Sequence, residues 1–154
     1  MSEPVFRRAT RDDLHAILTL LAEDTIPVDR EDLSTPLNPA YAAAFDAIDA
    51  SDTELLAVAE LDGAVVGTLQ ISFLPGLSFR GRWRGQIEAV RVASRLRGRR
   101  IGERFLDWAL DRCRARGCFM VQLTSHRDRV DAHRFYERLG WERSHAGFKI
   151  KLEE

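Results

Sequence analysis

Cysteine is scarce: Cys113 and Cys118 are the only two in 154 residues. Two thiols are too few for a disulfide framework, and they lack the further Cys or His pair that a structural zinc site needs, so no metal site is expected. No apolar run approaches the roughly 18 residues of a membrane span, and the opening Met-Ser-Glu-Pro has no cationic flank for a signal peptide. The chain therefore reads as soluble and cytoplasmic, with no membrane partner. It also lacks any linker, internal repeat or low-complexity stretch. With 45% hydrophobic residues it can bury a core, and the expectation is a single domain over residues 1–154.

Net charge is only −1, which alone points neither to a nucleic-acid binder nor to an acid-rich solvating protein. The average hides a split. Residues 1–62 carry 14 Asp and Glu against 4 Arg, a net of −10, whereas residues 63–154 carry 10 against 19 Arg and Lys, a net of +9. Either the two parts neutralise each other by packing, or the chain joins a polyanion on one side to a cationic molecule on the other.

Along the chain, Val5 to Ala9 reads as a strand, and Thr10 with Asp13 as a capping-box variant opening a helix that carries Leu14, Ile17, Leu18 and Leu21. Pro27, Pro36 and Pro39 punctuate an acidic loop, after which Tyr41, Phe45 and Ile48 recur at helical spacing. Glu54 to Leu61 and Ala64 to Phe73 are β-rich runs joined by Asp62-Gly63, a pair suited to a type I′ hairpin. Pro75 to Gly85 reads as a turn-rich loop, and Ile87 to Val92 as an alternating strand with Ile87 and Ala89 on one side, Glu88, Val90 and Val92 on the other, and Arg91 left open as to whether it joins Ile87. Ile101, Phe105, Ala109 and Cys113 share one face of the next helix, which Gly117 ends. Phe119 to Thr124 follows as a strand, then a helix capped by Asp131 and closed at Gly140. Trp141 to Ala146 and Phe148 to Leu152 are expected as a last pair of strands.

The segment richest in chemistry is the strand, basic turn and helix from Ile87 to Gly117. A helix start offers unpaired N–H groups and the positive end of a dipole, so glycine and arginine placed there can hold a pyrophosphate. The turn lacks the Lys-Ser/Thr ending of a nucleotide P-loop and the three-glycine dinucleotide pattern, so neither ATP nor NAD is indicated. An Arg-rich helix end standing in solvent is the plain alternative.

Ile87-Glu-Ala-Val-Arg-Val92, Arg97-Gly-Arg-Arg-Ile-Gly102 and Ala132-His-Arg-Phe-Tyr-Glu-Arg-Leu-Gly-Trp141 together resemble the two signature regions of the GCN5-related N-acetyltransferase (GNAT) superfamily. Arg97, Arg100 and Gly102 fall on the three defined positions of its pyrophosphate turn, Arg100 standing in place of the central glycine. Within the superfamily, Asp131 to Tyr136 followed by Ser144-His145 and Phe148 looks most like the aminoalkylphosphonate acetyltransferases. The resemblance implies an α+β, three-layer αβα fold of the acyl-CoA N-acyltransferase type. Its mixed, largely antiparallel sheet is splayed between strands 4 and 5, with helices on both faces, and acetyl-CoA is the cosubstrate. Backbone groups of Val90, Arg91 and Val92 would then meet the pantetheine arm, and Arg97, Gly98, Arg99, Arg100, Ile101 and Gly102 the pyrophosphate.

The same resemblance assigns proton transfer. Acetylating an ammonium requires removal of a proton, and the departing thiolate gains from receiving one. Glu88 matches a carboxylate that deprotonates the amine, directly or through water; the plain alternative is a solvent-facing strand residue paired with Arg91 or Arg95. Tyr136 falls on the general-acid tyrosine, whose ordinary pKa of about 10 exceeds the roughly 8.5 of a thiol. Arg129 occupies a position where the family often has an asparagine that touches the cofactor arm. His126 reads as a solvated loop residue with a lesser claim on proton transfer, His133 as one that packs or caps its helix, and Phe135 as core. Arg80, Arg82 or Arg84 could meet an anionic group on the acceptor. Read with Phe79 and Trp83 they could instead suggest a nucleic-acid surface, which the acidic balance and the absence of a recognised module disfavour.

The expected activity is transfer of acetyl to the primary amine of a small molecule in a ternary complex. A peptide or protein amine, or a non-catalytic acyl-CoA sensor, are the alternatives, and exposed C-terminal strands would allow a homodimer.

Overall fold

In the computed structural model, which describes residues 2–23 and 30–153, the chain divides into two compact units, Met1–Leu123 and Thr124–Glu154. The first contains β1 (Val5–Arg8), α1 (Leu14–Ala22), α2 (Pro39–Asp49), β2 (Glu54–Leu61), β3 (Ala64–Leu74), the single turn α3 (Ser78–Gly81), β4 (Trp83–Val92), α4 (Ile101–Ala115) and β5 (Cys118–Leu123). The strands pair in the order β1-β2-β3-β4-β5, antiparallel except for the parallel pair β4–β5. Pro27 lies outside the described residues.

Local chemistry explains the first elements. The Thr10 N–H donates to the Asp13 carboxylate at 2.8 Å, and Arg7 forks onto the same carboxylate at 2.8 and 3.0 Å. These bonds hold the Asp13 carboxyl below the usual carboxylate range, the Arg7 hydrogen bond contributing most. Asn38 caps α2 by accepting from the Ala40 N–H at 3.0 Å. Asp62 (φ 52°) and Gly63 (φ 80°) are both left-handed, as the type I′ hairpin requires.

The two faces of the sheet carry different helices. Ala9, Ile17, Phe45 and Val58 cluster with Leu14, Leu21, Leu56 and Val65, which puts α1 and α2 over the even-numbered residues of β2. On the other face, Phe6 stacks on Phe105 of α4 with centroids 5.1 Å apart, and Ile101, Phe105, Ala109 and Cys113 are buried as their spacing predicts. Gly85 lets α4 approach this closely: a Cβ there would lie 2.6 Å from Cys113 Sγ.

Three expectations are corrected. β4 begins at Trp83, not Ile87, because Trp83 to Gln86 are recruited by parallel pairing to β5 and Arg84 to Gln86 also by antiparallel pairing to β3, partners no local pattern announces. The last helix, α5 (Val130–Arg138), starts one residue before Asp131 and has Arg129 at its N-cap position, so Asp131 sits in its first turn. Finally, Trp141 to Ala146 and Phe148 to Leu152 form no strands. Alternation makes a strand only when a neighbour takes up its backbone hydrogen bonds, and among the described residues Phe148, Ile150 and Leu152 stand exposed.

Candidate functional site

The site is built on β4. Its first half is paired on both sides, to β3 and to β5, but the β5 ladder ends at Ile87–Leu123. From Glu88 to Val92 the strand keeps its bonds to β3 through Glu88–Gln70, Arg91–Thr68 and Val92–Gly67. Its other edge has no strand neighbour among the described residues, although the Val90 carbonyl accepts from the Arg91 guanidinium at 2.9 Å; backbone groups that a neighbouring strand would otherwise occupy are the ones a ligand can use.

A bulge falls at the same point. Ala89 and Val90 together oppose Leu69, and Ala89 is left-handed at φ 55°. The extra residue breaks the alternation expected for Ile87 to Val92. Glu88 and Arg91 thereby share the α1 face, while Ile87 and Val92 share the α4 face. Glu88 is exposed and Arg91 half-buried.

Beyond Val92 the 3-10 turn Ser94–Leu96 leads into Arg97-Gly-Arg-Arg and the start of α4. Arg100 takes a left-handed conformation (φ 61°) and makes no side-chain cap, so the helix end presents the N–H groups of Ile101 and Gly102 without a capping acceptor. Gly98 is left-handed at φ 87°, and a Cβ placed there would meet nothing within 4 Å, leaving an open cradle. The side chains of Arg97, Arg99 and Arg100 are exposed. The Arg100 guanidinium is turned along the helix onto Glu103, at 2.8 and 3.1 Å, and this carboxylate raises its pKa. The Arg100 side chain is thus directed along the helix, while its backbone faces the turn. Donor groups of this kind beside an open strand edge suit a diphosphate with an extended amide-bearing arm.

The loop arginines are sorted by the structure. Arg82 lies over the Phe119 ring at 4.3 Å and donates to the Phe79 carbonyl at 2.9 Å. Arg80 stands in the left-handed turn (φ 64°). Arg84 is the one that shares β4's even-numbered face with Glu88. Phe79, the aromatic of the basic-aromatic reading, packs against Phe119 at 4.9 Å.

Tyr136 belongs to the second unit, on α5, where its half-buried ring meets Phe135 at 5.4 Å and Trp141 at 5.9 Å, both edge-on. Phe135, expected as core, is likewise only half-buried. His133 Nε2 lies 2.9 Å from the His126 carbonyl, and His126 Nδ1 accepts from the Asp128 N–H at 3.1 Å. His133 thus ties α5 to the loop before it, while the His126 ring is exposed, as a solvated loop residue is.

Missing from the sequence reading were Gln86 and Gln122, whose side chains bond at 2.7 Å across β4 and β5 one step before the strands part. The signal was their parity: Gln86 stands two residues before Glu88.

A family model described as Acetyltransferase (GNAT) family matches residues 14–141. The chain is 35% identical over 91 residues to the aminoalkylphosphonate N-acetyltransferase of Salmonella typhimurium, a match covering 59% of this chain and 58% of that protein. Among solved structures, a transcriptional regulator from Bacillus halodurans C-125 is 40% identical and superposes with a TM-score of 0.94 over 97% of this chain and all of its own. A glucosamine-6-phosphate N-acetyltransferase from Arabidopsis thaliana shares the fold at 21% identity, with a TM-score of 0.79 over 98% of this chain and 99% of that one.

Proposed function

Because the chain belongs to the acetyltransferase (GNAT) family, we propose that it moves the acetyl group of acetyl-CoA directly to the primary amine of a small molecule within a ternary complex. What supports this reading is the parting of β4 from β5 after Ile87, on the strand that leads through a basic turn into an uncapped helix start at Ile101. Acetyl-CoA supplies the activated thioester. Within the turn from Arg97 to Gly102, where the Arg97 and Arg99 N–H groups already donate to the Ser94 and Leu96 carbonyls, the N–H groups of Gly98, Arg100, Ile101 and Gly102, with the charges of Arg97 and Arg99, hold its diphosphate. The open edge from Glu88 to Val92 binds its arm. Glu88 takes the proton from the amine, and the Tyr136 hydroxyl gives one to the departing sulfur.

The acceptor class follows the same logic. The Salmonella relative acts on an aminoalkylphosphonate, and on this chain Arg84, which shares a face of β4 with Glu88, would meet such an anionic end, with the amine at Glu88. A peptide or protein amine is the other acceptor class to be separated by assay. A second reading, an acyl-CoA-responsive module without turnover, is favoured by one observation: the 40% identical Bacillus chain is described as a transcriptional regulator.

Thiol release from acetyl-CoA across a panel of amines separates the two. The transferase reading expects Tyr136→Phe to lower kcat by about 100-fold, with calorimetric affinity for CoA unchanged. It expects Glu88→Gln to push the pH–rate profile to the alkaline side, because only amine already deprotonated in solution can then react. Near-normal kinetics in both variants would remove the mechanism. Stabilisation by CoA with no amine-dependent thiol release would favour the sensor.

A further inference from the structure

Two rows of side chains cross the sheet at adjacent register positions and point to opposite faces. Leu55, Ile71, Ile87 and Leu123 align on β2, β3, β4 and β5 and form an apolar row on the α4 side. One residue along, Glu54, Ser72, Gln86 and Gln122 align on the same four strands and form an entirely polar row on the α1 side. Gln70 and Glu88, paired with each other, begin the next row on that same face. A sheet face sealed beneath a helix is apolar, as Val58 is beneath α1 and α2. These positions are instead half-buried or exposed and polar. They make a floor beside the candidate base.

The floor satisfies itself only in part. Ser72 Oγ donates to Glu54 Oε1 at 2.8 Å, and Gln122 Nε2 donates to Gln86 Oε1 at 2.7 Å. Glu54 Oε2 is shielded from solvent with no partner. Whichever way the two glutamine amides are turned, their mutual bond leaves one NH₂ and one C=O directed to neither. Gln86 and Glu88 lie about 7 Å apart along one strand face. That spacing fits a molecule whose amine sits at Glu88 and whose hydrogen-bonding group sits at the amide pair.

Resting on the transferase reading above, we infer that Gln86 and Gln122 form a specificity subsite for the acceptor, selecting an aliphatic amine that carries a hydroxyl group a few bonds from its nitrogen. Such a hydroxyl both donates and accepts, matching the free C=O and NH₂ of the pair. An alkylamine of equal length would strip water from these groups without replacing its bonds.

The test compares aminobutanol with pentylamine, which differ by a hydroxyl in place of a methyl group, in thiol release from saturating acetyl-CoA. The wild-type protein is expected to prefer aminobutanol in kcat/KM by about tenfold or more. Gln86→Met and Gln122→Met keep the length and lose the amide; each should raise KM for aminobutanol and bring the two amines near parity, with CoA affinity by calorimetry unchanged. Equal use of both amines by the wild type, or an undiminished preference in both variants, overturns the inference while leaving the transferase reading intact. If neither amine releases thiol, the side-chain NH₂ resonances of Gln86 and Gln122 in the CoA-bound protein are followed by NMR during titration with aminobutanol. Shifts confined to these amides support the subsite independently of turnover, and their absence overturns it.

Discussion

The two halves of β4 differ more from each other than either does from its neighbours. From Arg84 to Ile87 the strand is paired on both edges and packed so closely under α4 that only a glycine fits at position 85. From Glu88 to Val92 it is paired on one edge, carries a left-handed bulge residue, and leads into a turn with two further left-handed residues, Gly98 and Arg100. One strand thus serves as scaffold for half its length and as the proposed ligand edge for the rest. The change falls where β5 ends its pairing, so the proposed location of chemistry is set by a strand that contributes none of the proposed catalytic groups. The contrast predicts that substitutions in the first half alter stability with little effect on CoA binding, and that those in the second half do the reverse.

The largest effect is expected at Gly85. A valine there would drive its Cβ into Cys113 Sγ at 2.6 Å and crowd Val121 at 3.4 Å, with no flexible tip able to yield. Gly85→Val should cost about 1–3 kcal/mol by overpacking and lower Tm by roughly 3–10 °C, while the folded fraction keeps its CoA affinity. An unchanged melting curve would break the comparison at its stronger end.

Cys113 sharpens it in another way. Burial pushes this thiol up to about 12, the nearby Cys118 adding to the effect. Unfolded, it would titrate near 8.5. The folded state therefore holds a proton that the unfolded state releases above about pH 8.5. This contribution to stability is fully present below that pH and is lost as pH rises towards about 12, at roughly 1.4 kcal/mol per unit. Urea unfolding between neutral pH and about pH 10 should show this decline in the wild type and a flatter profile in Cys113→Ala. Parallel profiles would place the thiol in contact with water and loosen the packed half.

How much of this was legible beforehand divides along the same line. Short-range chemistry was readable: the Thr10 and Asp13 capping box on the 3-10 turn that leads into α1, the Asp62-Gly63 hairpin, the buried stripe from Ile101 to Cys113, and the composition of the turn from Arg97 to Gly102. Long-range pairing was not. Nothing local in Trp83 to Gln86 marks them as strand, because their order comes from pairing to β3 and to β5, the latter more than thirty residues on. The bulge at Ala89 was equally hidden, since alanine has no particular liking for a left-handed conformation and takes it here because β3 and the departing β5 impose it. The polar row containing Gln86 and Gln122 exists only once four strands are in register. The tail shows the opposite error, in that alternation at Phe148, Ile150 and Leu152 suggested a strand for which the described residues supply no neighbour.

The smallest effect is expected at Arg100, and it bears most directly on what the second half of the strand is for. Its left-handed conformation is one that glycine adopts freely and arginine does not. Its guanidinium is spent on Glu103 across an exposed pair of little energetic weight. If the turn holds a diphosphate through backbone N–H groups, Arg100→Gly removes strain and a side chain without removing a donor. Tm should stay equal or rise by no more than roughly 3 °C, and calorimetric affinity for CoA should stay within about twofold of the wild type. Arg97→Ala, by contrast, takes away a charge proposed to face the ligand and should weaken binding by about five- to tenfold. A larger loss from Arg100→Gly than from Arg97→Ala would mean that the Arg100 side chain leaves Glu103 to reach the ligand, and that the turn grips by charge where its geometry argues for backbone.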